Sequence, residues 1–130
     1  MVPGRAILLS LLPLAAALAL VPAAAAATIT VGPSANGSTR ELLSGDTLVV
    51  RLPGNPTTGY RWTVTARPSA LRALGSTYLA PAKGLPGQGG TYVFRFRARA
   101  GAGTLRLAYA RSFEKGKPPI RTFRLAVLVR

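Results

Sequence analysis

Thr91-Tyr92-Val93-Phe94-Arg95-Phe96-Arg97-Ala98-Arg99 sets Phe94, Phe96 and Ala98 against Arg95, Arg97 and Arg99 at every second position. A period of two belongs to a half-buried β-strand, one face in the core and the other in water. The three arginines therefore read as the solvated side of a sheet rather than as a nucleic-acid groove. The same pattern recurs along the chain. Tyr60-Arg61-Trp62-Thr63-Val64-Thr65 repeats it and assigns Trp62 to the core. Thr47 to Leu52 puts Leu48, Val50 and Leu52 on one face after a Ser44-Gly45-Asp46 turn, and Pro53 ends that run. Thr104 to Ala110 and Ile120 to Val129 are strands, the second with Phe123, Leu125, Val127 and Val129 sharing a face. Thr28-Ile29-Thr30-Val31 is a short first strand closed by Gly32-Pro33, and Leu71 to Leu79 a strand with an irregular start after Pro68. Ser34 to Arg40 reads as loop, with Asn36-Gly37-Ser38 a plain turn rather than a glycosylation acceptor. About seven short strands between turn clusters, with no amphipathic helix after residue 27, predict an all-β antiparallel β-sandwich.

The N-terminus has a different composition. Arg5 precedes an almost wholly apolar run from Ala6 to Leu20, and the alanines at 23–27 offer several A-x-A cleavage registers. This is the pattern of a secretory signal peptide, residues 1–27, whose removal leaves residues 28–130 as one domain beginning near Ala27 or Thr28. Pro13, Pro22 and the small-residue end argue against a retained membrane anchor. The expected destination is the periplasm or the extracellular space. Zero cysteine in an exported domain of this size means that the apolar core must hold the fold without disulfides.

Zero cysteine and zero histidine also remove thiol nucleophiles, imidazole bases and most zinc ligand sets. Glu41, Asp46 and Glu114 are the only acids, too few and too scattered for a glycosidase pair. Ser112-Phe113-Glu114-Lys115 matches S-x-x-K formally, but Gly116-Lys117-Pro118-Pro119 leaves no room for the helix which that chemistry needs. The chain is therefore expected not to be an enzyme and to use no cofactor or metal. Its 17 Lys+Arg against 3 acids give a net charge of +14, which draws polyanions.

Three irregular segments interrupt the alternating runs: Asn55-Pro56-Thr57-Thr58-Gly59-Tyr60, Gly84-Leu85-Pro86-Gly87-Gln88-Gly89-Gly90 and Arg111-Ser112-Phe113. In the first, Asn55 can bond to the turn's backbone, Pro56 fixes φ and Gly59 permits a geometry closed to other residues, so the loop is shaped before it binds. The second cannot be a phosphate cradle, because a strand rather than a helix follows Gly90. It reads as a flexible contact loop. Arg111 and Phe113 are residue types favoured as interface anchors.

In order and separation these three segments resemble chagasin-like inhibitors of papain-family cysteine peptidases, whose signatures are Asn-Pro-Thr-Thr-Gly-aromatic, Gly-x-Gly-Gly and Arg-Pro-aromatic. The likeness covers nearly everything after residue 27 and departs at Ser112, where the family usually has proline. It implies an immunoglobulin-like topology and a reversible, competitive inhibitor that occludes a peptidase cleft with three loops. Asn55, Pro56, Thr57, Thr58, Gly59 and Tyr60 would form loop 1, lying over the catalytic cysteine without being cut, with Thr57 nearest it. Leu85, Pro86, Gly87, Gln88, Gly89 and Gly90 would form loop 2 on the non-primed side, Leu85 or Pro86 offering apolar area to a pocket. Arg111, Ser112 and Phe113 would form loop 3, the aromatic packing on the primed-side wall. The implied partner is a cathepsin L-type peptidase or a bacterial homologue, met by a monomer, with no specific nucleic acid and no membrane anchor after signal cleavage. The alternative is a cationic exported module that binds nucleic acid or anionic glycans.

Overall fold

Each alternating run forms a strand in the computed structural model, which describes Gly4 and residues 25–130. The predicted signal peptide lies outside the described residues except for Gly4 and its last three positions, 25–27. Eight strands make two sheets: β1 (Thr28–Val31), β2 (Thr39–Leu42), β3 (Thr47–Gly54), β4 (Tyr60–Ala66), β5 (Leu71–Leu79), β6 (Gly90–Ala98), β7 (Gly101–Arg111) and β8 (Arg121–Val129). One sheet has the order β1-β3-β6-β5, the other β2-β8-β7-β4.

The expected immunoglobulin-like β-sandwich forms, with two amendments. Neither sheet is wholly antiparallel, because β1 pairs parallel with β3 and β2 parallel with β8. The chain crosses from β1 to the other sheet for β2 and turns straight back into β3, so its direction reverses twice and β1 and β3 run the same way. The eighth strand is β2, which the polar stretch Thr39-Arg40-Glu41-Leu42 conceals because only Leu42 is buried. Pro53 does not end β3 but lies inside it. β1 pairs only with residues 47–50, so the proline's missing N–H falls where β3 has become an edge.

Leu48, Val50, Leu52, Phe94 and Phe96 of the first sheet pack against Trp62, Leu105, Leu107, Tyr109, Phe123 and Leu125 of the second. Arg95, Arg97 and Arg99 are exposed, as the period of two requires. Asn36 has a structural task, its Oδ1 accepting the Arg124 N–H at 2.8 Å.

Asp46 is 5% exposed and pins the turn into β3: Oδ1 accepts the Ala27 N–H at 3.0 Å and Oδ2 the Leu43 N–H at 2.9 Å. The Ala27 and then the Leu43 backbone donors hold its carboxyl below the ordinary 3.8, against burial, which pushes upward. A carboxyl depressed in the folded state contributes stability above its unfolded pKa and loses it as pH falls through the folded one. Melting temperature should therefore drop below about pH 4, and Asp46→Asn should lower it at pH 7 while flattening that acid limb. Melts of both proteins from pH 2 to 7 check this, and an unchanged acid limb in the variant would remove Asp46 from the account.

Candidate functional site

The strand pairing brings the three irregular segments together. Gly54 at the end of β3 pairs with Gly90 at the start of β6, and Tyr60 at the start of β4 pairs with Arg111 at the end of β7. Loop 1 joins β3 to β4, loop 2 joins β5 to β6 and loop 3 joins β7 to β8, so all three lie at one end of the sandwich. Loop 1 belongs to both sheets and stands between the other two.

Loop 1 is a single 3-10 turn over Pro56–Thr58, capped by Asn55 and closed by Gly59 at φ 83°. The Asn55 Oδ1 accepts the Thr57 N–H at 3.1 Å and the Thr57 hydroxyl at 2.7 Å. The Asn55 carbonyl accepts the Thr58 hydroxyl at 2.6 Å and the Thr58 N–H at 3.3 Å. The Pro56 carbonyl accepts the Gly59 N–H at 3.0 Å. The Thr57, Thr58 and Gly59 N–H groups and both threonine hydroxyls are thus engaged within the loop, and its shape is set before any partner arrives.

Two side chains tie the neighbouring loops to it. The Asn55 Nδ2 donates to the Gly87 carbonyl at 2.8 Å, joining loop 1 to loop 2. The Arg111 Nε donates to the Thr58 carbonyl at 2.9 Å, joining loop 1 to loop 3. The Arg111 guanidinium lies 4.2 Å above the Tyr60 ring, and its Nη1 meets the Glu114 carboxylate at 3.0 Å. Arg111 thus spends its charge inside the site. Below it, the Tyr60 and Tyr109 rings lie 5.4 Å apart and Tyr109 stacks on Trp62 at 5.1 Å, a column from core to loops. The Tyr109 hydroxyl accepts the Asn55 N–H at 2.9 Å, and the Trp62 Nε1 donates to the Pro53 carbonyl at 2.9 Å. The roles of Tyr109 and Glu114 were not legible beforehand, because each depends on a partner far along the chain or on the course of a loop.

Loop 2 is more ordered than a glycine run implies. The Gln88 N–H bonds to the Leu85 carbonyl at 3.0 Å across Pro86-Gly87, with Gly87 at φ 82°, the signature of a type II turn. A Cβ on Gly89 would stand 2.8 Å from the Gly54 carbonyl oxygen, so only glycine lets loop 2 lie this close to loop 1. Leu85, on one flank of loop 1, is 72% exposed, and Phe113, on the other, 69%. Phe113 therefore does not serve the core as an extension of β7. Its ring edge lies within 3.0 Å of where a Gly59 Cβ would sit. Among the described residues no group of three His, Cys, Asp or Glu is placed to hold a metal.

A family model described as chagasin family peptidase inhibitor I42 matches residues 41–127. No curated protein matches the chain. Among solved structures, the cysteine protease inhibitor EhICP2 from Entamoeba histolytica superposes with a TM-score of 0.74 at 25% identity, over 80% of this chain and 96% of that one. Amebosin superposes at 0.63 with 31% identity, over 79% and 98% of the two chains. Leishmania mexicana ICP superposes at 0.54 with 27% identity, over 81% and 90%.

Proposed function

Because the chain belongs to the chagasin family of peptidase inhibitors, we propose that it is a reversible, competitive inhibitor of papain-like cysteine peptidases that fills the active-site cleft with loop 1, flanked by loops 2 and 3. The observation that carries this reading is the cross-tied loop cluster, in which Asn55 and Arg111 fasten both outer loops to the central one.

The chemistry follows from what such a peptidase needs. Its thiolate must reach the carbonyl carbon of an extended chain while the oxygen enters an oxyanion site. Loop 1 is a 3-10 turn rather than an extended segment, and its Asn55, Pro56 and Thr58 carbonyls already accept hydrogen bonds from within the protein. The turn holds these carbonyls, and that of Thr57 between them, out of the extended geometry that attack requires, so the loop occupies the cleft without being cut. Thr57, at the crest of the turn, is assigned to the catalytic cysteine, Leu85 or Pro86 to a non-primed pocket and Phe113 to the primed-side wall. Titration of papain with the protein should give stoichiometric loss of activity, while trypsin stays active. Full papain activity at large excess would refute the assignment.

Ser112 supplies a finer test. It follows Arg111 in a turn closed by the Glu114 N–H on the Arg111 carbonyl at 3.2 Å, a position that suits proline in a type I turn. Ser112→Pro should raise the melting temperature and tighten inhibition about two- to fivefold, on the scale of roughly 0.4–1 kcal/mol for such changes. Phe113→Ala should weaken inhibition by about 1–2 kcal/mol as a lost apolar anchor. Weaker inhibition by Ser112→Pro would give loop 3 a different course in the complex.

We further propose that the N-terminal segment directs export and is removed, the mature chain beginning at Ala27 or Thr28. Cleavage before Ala27 would create an α-ammonium where its N–H now meets Asp46 at 3.0 Å, turning that bond into an ion pair. The mass of the exported protein tests the site of cleavage.

A further inference from the structure

The outer face of the β1-β3-β6-β5 sheet carries Arg51, Arg72, Arg95 and Arg97, with Arg99 just past the end of β6, all exposed. Register sets Arg97 directly opposite Arg72, Arg95 opposite Val49 and Gly75, and Arg51 opposite Val93. With neighbouring strands about 4.8 Å apart and alternate residues about 6.7 Å apart, the five form a strip about three strands wide and 20 Å long. None of the four strands contains Asp or Glu. The two ion pairs among the described residues employ Arg111 and Arg130 instead. Like charges directly opposite each other destabilise a sheet, so the Arg72–Arg97 pairing works against the fold.

The layer is also ordered. Val93 at 0% and Val49 at 4% exposure are buried although they sit on this outer face and outside the core cluster. Their row neighbours are Arg51, Arg95 and threonines, so arginine stems cover them while the guanidinium heads remain in water. The Arg99 Nε donates to the Ser69 carbonyl at 2.8 Å, which fixes that head while leaving its other donors available.

We propose that this face binds an anionic polysaccharide, its carboxylate or sulfate groups accepting from the guanidinium strip. Guanidinium forks match such groups in a bidentate manner, and Thr30, Thr47, Thr77 and Thr91 on the same face supply hydroxyls for sugars. Nucleic acid fits less well. Phe94 and Phe96 are buried on the opposite, core-facing side, so the strip has no aromatic platform for bases. Arg97 faces Thr47, seven residues from Gly54 at the loop end, or about 23 Å. Arg51, the member of the strip nearest the loops, is three residues from Gly54, or about 10 Å, so every member lies beyond the screening length of about 8 Å and the glycan and a peptidase can be held at once.

The test compares two triple variants of equal charge, Arg51→Gln/Arg95→Gln/Arg97→Gln on this face and Arg40→Gln/Arg106→Gln/Arg124→Gln on the other sheet. Binding to heparin and to polygalacturonate is titrated across salt concentrations, and thermal melts establish that both variants are folded. The first variant should bind about tenfold or more weakly at 0.15 M salt, with a salt slope lower by about two to three, and the second should change little. Peptidase inhibition, measured separately, should be the same in the first variant and the parent protein. Equal losses in the two variants would reduce the effect to net charge and overturn the proposal. So would tighter binding to a single-stranded oligonucleotide or to anionic vesicles than to either glycan.

Discussion

Asn55→Ala should weaken inhibition of a papain-like peptidase by about 30- to 150-fold while shifting the melting temperature only slightly. The side chain accepts two bonds within loop 1, from the Thr57 N–H and hydroxyl, and donates one to the Gly87 carbonyl of loop 2. At about 0.5–1.5 kcal/mol for each net hydrogen bond the loss amounts to roughly 2–3 kcal/mol. These bonds lie at the exposed end of the sandwich, so the cost falls on loop order and hence on binding. Asn55→Asp separates the two functions, since a carboxylate keeps the acceptor for Thr57 and loses the donor for Gly87. It should fall between Ala and the parent protein. Ki and melting temperature measured together decide the matter: equal inhibition by Asn55→Ala would mean that loop 1 needs no internal bracing.

Trp62→Ala should produce the largest loss of stability of any single change considered, about 3–5 kcal/mol, the usual range for an emptied aromatic site. Trp62 is buried, stacks on Tyr109 at 5.1 Å and donates to the Pro53 carbonyl at 2.9 Å. For a domain of this size the loss corresponds to a fall in melting temperature of roughly 12 °C or more. Without a disulfide to restrain the unfolded chain, nothing offsets it. Trp62→Phe retains a ring for Tyr109 and loses the indole donor, so it should cost about 1–2 kcal/mol. Denaturant unfolding of both variants gives the values, and a Trp62→Ala protein as stable as Trp62→Phe would show that the site collapses around the gap.

The sandwich was legible because most of its strands alternate strictly. The run from Thr91 to Arg99 sorts Phe94 and Phe96 inward and its arginines outward, and no competing period disturbs it. β2 was not legible, since an edge strand that buries only Leu42 has no period to detect. Its parallel partner, and that of β1, follow from which sheet each short strand joins, a choice made by contacts distant in sequence. Pro53 misled for a related reason: whether proline ends a strand depends on whether a neighbour needs its N–H, and here none does. β5 has its irregularity in the middle, at the bulge between Ala73 and Gly75, rather than at its start. The loop residues could be named from sequence because their types are unusual together, and the resemblance gave them order. How they hold one another could not. The Arg111 guanidinium lies between Tyr60, Thr58 and Glu114 only because β4 and β7 pair in one register, and Tyr109 reaches Asn55 across 54 residues.

The central claim is that loop 1 works by filling a cleft and takes part in no chemistry. Binding to a papain whose catalytic cysteine has been replaced by alanine measures this directly, beside the same enzyme first blocked by a peptidyl alkylator that fills the cleft. The account predicts tight, reversible 1:1 binding to the alanine enzyme, no binding to the blocked one, and a protein of unchanged mass after long incubation with active peptidase. Undiminished binding to the blocked enzyme, or cleavage after Thr57 or Thr58, would contradict it.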